Sequence, residues 1–144
     1  MTKIQKLTNF FTEKMTQDLK KFLIDTHIFI WAMDNSPRLT KIIKDLISNP
    51  KNEVYLSVVS IWEIMIKRSS GNLKTPAKII EGIKAAGFDI LPIEAEHALA
   101  LEQLPDYHKD PFDRMLIAQA RSENMVLITS DSKIWKYGQK ILKA

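Results

Sequence analysis

The chain has 144 residues, no cysteine, 45% hydrophobic and 26% charged residues, and a formal net charge of +4. That length makes one domain able to bury about two-thirds of its unfolded surface, and the composition excludes a chain disordered throughout. The missing thiols exclude a disulfide framework, thiolate metal sites and cysteine catalysis, while the mild basicity permits nucleic-acid binding without establishing it.

Ile4, Leu7, Phe11, Met15 and Leu19 recur at helical spacing. They predict an amphipathic helix over residues 3–19, within an N-terminal extension of residues 1–20. Residues 21–144 form the domain proper. Lys21-Phe22-Leu23-Ile24 reads as a first buried strand ending at Asp25. Ser36-Pro37 is read as the start of a helix carried by Leu39, Ile42, Ile43, Leu46 and Ile47. Val54–Val58 is predicted as the second strand. Ser60 opens a further helix, which Gly71-Asn72 ends. Thr75-Pro76 starts the next, with Ile79, Ile80 and Ile83 inward and Gly87 as its stop. Phe88–Leu91 is the third strand and Glu94–Leu104 a helix. Asp110-Pro111 starts the helix through Glu123, and Met125–Ile128 is the fourth strand. A short helix over Ser132–Tyr137 and a fifth strand over Gln139–Leu142 complete the pattern. Apolar strands alternating with helices make an α/β fold, a central parallel sheet with helices on both faces. No run is long enough to cross a membrane, which takes ~20 apolar residues. The first twenty residues carry charge throughout, unlike a secretory signal, so a cytosolic protein is expected.

Ligands of such sheets bind beyond the carboxyl ends of the strands, and here those ends are acidic. Asp25 follows the first strand and Asp131 the fourth. Glu63 lies early in the helix after the second strand, and Asp110 and Asp113 flank the start of another. Capping explains each one singly. Ser60-x-x-Glu63 has the form of a capping box, Asp110-Pro111-Phe112-Asp113 has Asp at the N-cap and Pro at N1, and Asp25 and Asp131 each precede a helical start. Glu63 resists that reading. Its neighbours Ile61, Trp62, Ile64, Met65 and Ile66 are all apolar, which predicts a buried helix. A buried carboxylate there costs several kcal/mol unless compensated. A hard divalent cation compensates all the acids at once. Carboxylate ligands select Mg²⁺ or Mn²⁺, and such a cation activates water for phosphodiester hydrolysis. His27, His97 and His108 show no zinc-site spacing, and no GxxxxGK[ST] phosphate loop occurs.

Four segments, in order, resemble the PIN-domain ribonucleases, specifically the VapC-type toxins of bacterial toxin–antitoxin pairs. They are Phe22-Leu-Ile-Asp25-Thr26-His27, Ser57-Val-Val-Ser60-Ile-Trp-Glu63-Ile, His108-Lys-Asp110-Pro-Phe-Asp113-Arg114-Met-Leu-Ile-Ala-Gln-Ala120 and Leu127-Ile-Thr129-Ser130-Asp131. The resemblance covers about residues 21–142 and implies a PIN fold. It implies an Mg²⁺- or Mn²⁺-dependent endoribonuclease leaving 5′-phosphate and 3′-hydroxyl ends. It maps the four acids onto Asp25, Glu63, Asp113 and Asp131 as catalytic metal ligands. Asp110 matches an extra acid of the subgroup and stands between ligand and N-cap. Thr129 matches a polar position beside the site, and Ser130 is taken with it as a supporting residue; among basic residues that otherwise read as solvated surface, Arg114, next to Asp113, is the one that could hold a carboxylate or an RNA phosphate. The implied partners are an RNA substrate, a cognate antitoxin that blocks the site and a second copy in a homodimer, with no membrane. The rival reading is a non-catalytic PIN-like module that binds RNA or protein. The three tryptophans, Trp31, Trp62 and Trp135, read as core, and His108 as a loop residue that could touch RNA.

Overall fold

Lys21–Ile24 form the central strand β1 because Phe22, Leu23 and Ile24 are all fully buried, apolar on both faces as a covered parallel sheet requires. The structure, a computed structural model, describes residues 2–9, 21–71, 78–138 and 140–144. β2 (Glu53–Ser57), β3 (Asp89–Leu91), β4 (Val126–Thr129) and β5 (Ile141–Lys143) complete a five-stranded, all-parallel sheet in the order β3-β2-β1-β4-β5. Residues 3–9 form α1. Then come α2 (Thr26–Met33), α3 (Lys41–Ser48), α4 (Val58–Ser69), α5 (Ile79–Ala85), α6 (Ala95–Ala100), α7 (Pro111–Ser122) and α8 (Ser132–Trp135).

Alternation along the strands divides the core. Phe22, Ile24, Val54, Leu56, Val126 and Ile128 pack with α2, α3 and α5 on one face. Leu23, Leu91 and Leu127 pack with α7, α8 and the segment around Leu104 on the other. α4 serves both, giving Val59 to one cluster and Ile64 to the other. The strand order turns back at β1, with β2 and β3 on one side and β4 and β5 on the other. That switch point opens a crevice at the carboxyl ends of β1 and β4. The Asp25 N–H donates to Ile128 O at 3.1 Å, carrying the β1–β4 pairing one residue past the strand.

The helix stops follow backbone chemistry. Gly87, at φ 78°, ends α5; its N–H and that of Phe88 reach back to Lys84 O and Ile83 O, the paired bonds of a Schellman stop. Asn124, at φ 56°, does the same for α7 and turns the chain into β4.

Several expectations are corrected. α4 begins at Val58, with Ser57 as N-cap accepting from Val59 N–H; Ser60 lies within the helix. α3 begins at Lys41 with Thr40 as N-cap, so Ser36-Pro37 makes a preceding turn. The helix expected over Glu94–Leu104 is α6 followed by a 3₁₀ turn at Leu101–Gln103. Ile80 faces out, while Ile79 and Ile83 face in. α4 is not buried all round: Trp62 is 56% exposed, and Met65 and Ile66 are exposed beside it. Within α1, Ile4 and Leu7 are exposed; the rest of the stripe expected through Leu19, the Thr75-Pro76 start and Gln139 lie outside the described residues. Among the described residues, no helix is long and apolar enough to cross a membrane.

Candidate active site

Asp25 leaves β1 into the crevice and is 3% exposed. It is the N-cap of α2, its Oδ1 accepting from Ile28 N–H at 2.9 Å. Its Oδ2 accepts from the Thr129 hydroxyl at the end of β4. Burial raises the Asp25 carboxyl above its ordinary 3.8, against the lowering effect of those two hydrogen bonds; the charge of Asp131 adds to the rise.

Asp131 follows β4 and caps α8 through Lys133 N–H at 2.9 Å. Its own N–H donates to Thr129 Oγ1 at 3.1 Å. Thr129 therefore ties Asp25 to Asp131 across the two central strands. Ser130 lies between them in sequence, half-buried.

Glu63 is 5% exposed and projects from the second turn of α4. Because the helix starts at Val58, Glu63 is three residues too deep to answer its first N–H groups, and the capping box does not form. Its Oε1 accepts from Thr26 Oγ1 at 2.7 Å, and its Oε2 is 2.9 Å from Lys67 Nζ. The Thr26 and Ser60 hydroxyls are also 2.9 Å apart. Thr26 has one proton and gives it to Glu63, so Ser60 donates to Thr26. Buried Ser60 thus serves as a relay behind Glu63.

Asp110 is the N-cap of α7, accepting from Phe112 and Asp113 N–H at 2.9 and 3.0 Å through Oδ1. Pro at N1 fits that start, since its missing N–H would have had no helical partner. Asp113, at N3, faces the crevice. Its carboxyl is pushed up to about 6, first by burial and then by the neighbouring charges of Asp110 and Glu63, against the lowering effect of His108.

His108 is the residue that sequence reasoning undervalued. It is buried, and its Nε2 is 2.7 Å from Asp113 Oδ2 and 3.3 Å from Asp131 Oδ2. Its backbone is clamped: the N–H donates to Tyr137 Oη at 2.9 Å, and the carbonyl accepts from Arg114 Nη1 at 3.2 Å. The available signal was His108-x-Asp110-x-x-Asp113, a histidine five residues before an acid at a helix start. Arg114 lies 4.0 Å from the Asp106 carboxylate through Nη1. Its guanidinium serves the carbonyls of Pro105, His108 and Leu101 and the Tyr137 hydroxyl. It braces the loop that carries His108. Lys133 and Lys109 are exposed.

The cluster divides into connected parts. His108, Asp113 and Asp131 offer ligand atoms within 4.8 Å of one another. Asp25 joins through Thr129 and Asp131, and Glu63 through its charge on Asp113. Two buried and two partly exposed carboxylates, with repulsion among them, suit a hard divalent cation.

The PIN domain sequence profile matches residues 22–140. The chain belongs to the PIN-domain family. Its acid-lined crevice is thus the mouth of a PIN sheet. Similar folds occur in VapBC2 from Rickettsia felis bound to a DNA fragment from its promoter (TM-score 0.59, 15% identity, covering 86% of this chain and 97% of that one). A toxin–antitoxin complex from Klebsiella pneumoniae is likewise similar (TM-score 0.59, 18% identity, 84% and 95% covered). So is FitAcB from Neisseria gonorrhoeae (TM-score 0.56, 19% identity, 81% and 91% covered). No curated protein matches the sequence significantly.

Proposed function

We propose that this PIN-domain protein is a divalent-cation-dependent endoribonuclease and the toxin of a toxin–antitoxin pair, held inactive by a cognate antitoxin. The observation that carries the reading is the set of acids at the switch point of the sheet. Asp25 and Asp131 are tied by Thr129, with Asp113 and Glu63 reaching the same crevice from α7 and α4. Asp25, Glu63, Asp113 and Asp131 are the proposed catalytic metal ligands. Asp110, with Oδ1 engaged by two N–H groups, is assigned as N-cap.

The chain's own contribution is to hold these carboxylates ready. Thr129 fixes Asp25, the Ser60–Thr26 relay fixes Glu63, and His108 fixes Asp113 and Asp131. Thr129 and Arg114 support the site, Arg114 through the His108 loop. Burial raises the Asp25 and Asp113 carboxyls, and because a cation binds the ionised form, its affinity should strengthen as pH rises. Asp25, Glu63, Asp113 and Asp131 would hold Mg²⁺ or Mn²⁺, whose chemistry when bound would be to activate a water and neutralise charge on the scissile phosphate. The known folds in toxin–antitoxin complexes support the antitoxin partner; a homodimer and a cytoplasmic location complete the reading.

The test is incubation of the purified protein, freed of any co-purified partner, with total RNA in Mg²⁺, Mn²⁺ or EDTA. Discrete fragments in metal and none in EDTA are expected. Tight RNA binding without cleavage in either metal would instead mark a non-catalytic module.

A further inference from the structure

The acids that hold a cation also repel a polyanionic substrate, so a productive site needs a positive group facing the strand. Arg114 is not that group, because its guanidinium is directed at backbone carbonyls of its own loop. Lys67 sits differently. Its ammonium lies 2.9 Å from Glu63 Oε2, one turn along α4, and its side chain is 41% exposed while that of Glu63 is 7% exposed. An ordinary i,i+4 pair leaves both head groups in water. Here one partner is buried in the crevice and the other reaches it from solvent. The second Glu63 oxygen is already taken by Thr26. Oε2 is therefore the position for which Lys67 and any incoming cation compete.

We propose that Lys67 is a substrate-positioning residue of this site: its ammonium, held on Glu63 in the metal-free protein, transfers to a phosphate oxygen of the RNA strand. This rests on the proposed nuclease reading. The half-exposed stem gives the head group room to move, and a flexible point charge suits phosphate. The Glu63 pair keeps Lys67 at the crevice before substrate arrives.

Two measurements on Lys67→Gln and Lys67→Arg test the assignment. Mn²⁺ affinity is read from the electron paramagnetic resonance of free Mn²⁺. RNA affinity is read from the anisotropy of a fluorescein-labelled oligouridylate in Mn²⁺ over a salt series, with its integrity checked on a gel. Lys67→Gln should bind Mn²⁺ as well as or better than the wild type, because a competitor for Oε2 is gone. It should bind RNA about fivefold more weakly at 0.1 M salt, with the slope of log affinity against log salt reduced by about 0.7, the signature of one lost phosphate contact to a single strand. Lys67→Arg should keep RNA affinity within about twofold of wild type. Unchanged RNA affinity and salt slope in Lys67→Gln overturn the assignment. So does loss of Mn²⁺ binding, which would make Lys67 a structural support of Glu63. A wild type that binds no Mn²⁺ defeats the nuclease reading itself, and this inference with it.

Discussion

Asp113→Asn in the metal-free protein offers a direct reading of the crevice's electrostatics. The native carboxyl is raised from 3.8 to about 6, mainly by burial, with Asp110 and Glu63 adding repulsion. For an acid whose native pKa is raised, the native state holds its proton longer than the unfolded chain. Stability therefore falls as pH rises from about 4 to about 6, and the full cost is present above that window. A rise of this size corresponds to about 3 kcal/mol. Its side chain is 21% exposed, so solvent screening lowers the expected relief to about 1–3 kcal/mol. Asparagine keeps the shape and removes the charge. At pH 7.5 in EDTA, Asp113→Asn should melt higher by about 3–12 °C, at about 3–4 °C per kcal/mol for a domain of this size. At pH 3, below the ordinary 3.8 as well as the native value, Asp113 is mostly protonated in both states and the advantage should largely vanish. Mn²⁺ should raise the wild-type melting temperature by binding the native state and should raise the variant's less. Melts followed by circular dichroism at both pH values decide it. A variant no more stable than wild type at pH 7.5, or equally stabilised by Mn²⁺, would refute the argument.

Glu63→Gln should be nearly neutral for metal-free stability, because glutamine still accepts from Thr26 and the Lys67 pair is half-exposed, yet it should lose most of the Mn²⁺-dependent rise in melting temperature. A full metal response in that variant would remove Glu63 from the ligand set. Tyr137→Phe removes an oxygen that accepts from His108 N–H, Tyr107 N–H and Arg114 and donates to Pro105 O. It should cost about 1–3 kcal/mol in stability and weaken Mn²⁺ binding several-fold by freeing His108; calorimetric titration of Mn²⁺ that shows wild-type affinity would make the clamp purely structural. Thr129→Val should reduce cleavage more than it reduces RNA binding, since Asp25 loses its hydroxyl donor and stays buried; parallel assays of cleavage and binding would expose equal losses, the result that counts against this role.

The parallel sheet was legible because its strands are short apolar runs separated by helical periodicity. β1 falls at its expected residues, and β2, β3 and β4 fall within one residue of theirs. The acids at the strand ends were legible for the same reason, since Asp25 interrupts an apolar run at its carboxyl end and Asp131 follows another after only Thr129 and Ser130. The start of α4 was not. Ser57 and Ser60 both fit the N-cap rule, and local chemistry does not choose between them. Ser57 is fixed by a contact 62 residues away, its hydroxyl donating to Gln119 on α7 at 2.5 Å. That choice turns Glu63 from a cap into a crevice residue. The exposed Trp62 was missed because an all-apolar helix has no periodic face to mark its outer side; its ring packs edge-on against Phe112 at 5.1 Å. His108 was undervalued because its spacing reveals Asp113 but not Asp131, which joins it only across the fold.

Whether the acids of this crevice cut RNA is decided by mapping RNA ends in cells after brief induction. Wild type and Asp25→Asn are produced to equal levels, and 5′-monophosphate ends are sequenced. Asparagine keeps the Asp25 shape but removes one of the charges proposed to hold the cation. New ends recurring at a small set of positions are expected in wild-type cells and none of them in cells making Asp25→Asn. The same ends in both strains, or none in either while growth stops, would contradict the nuclease reading.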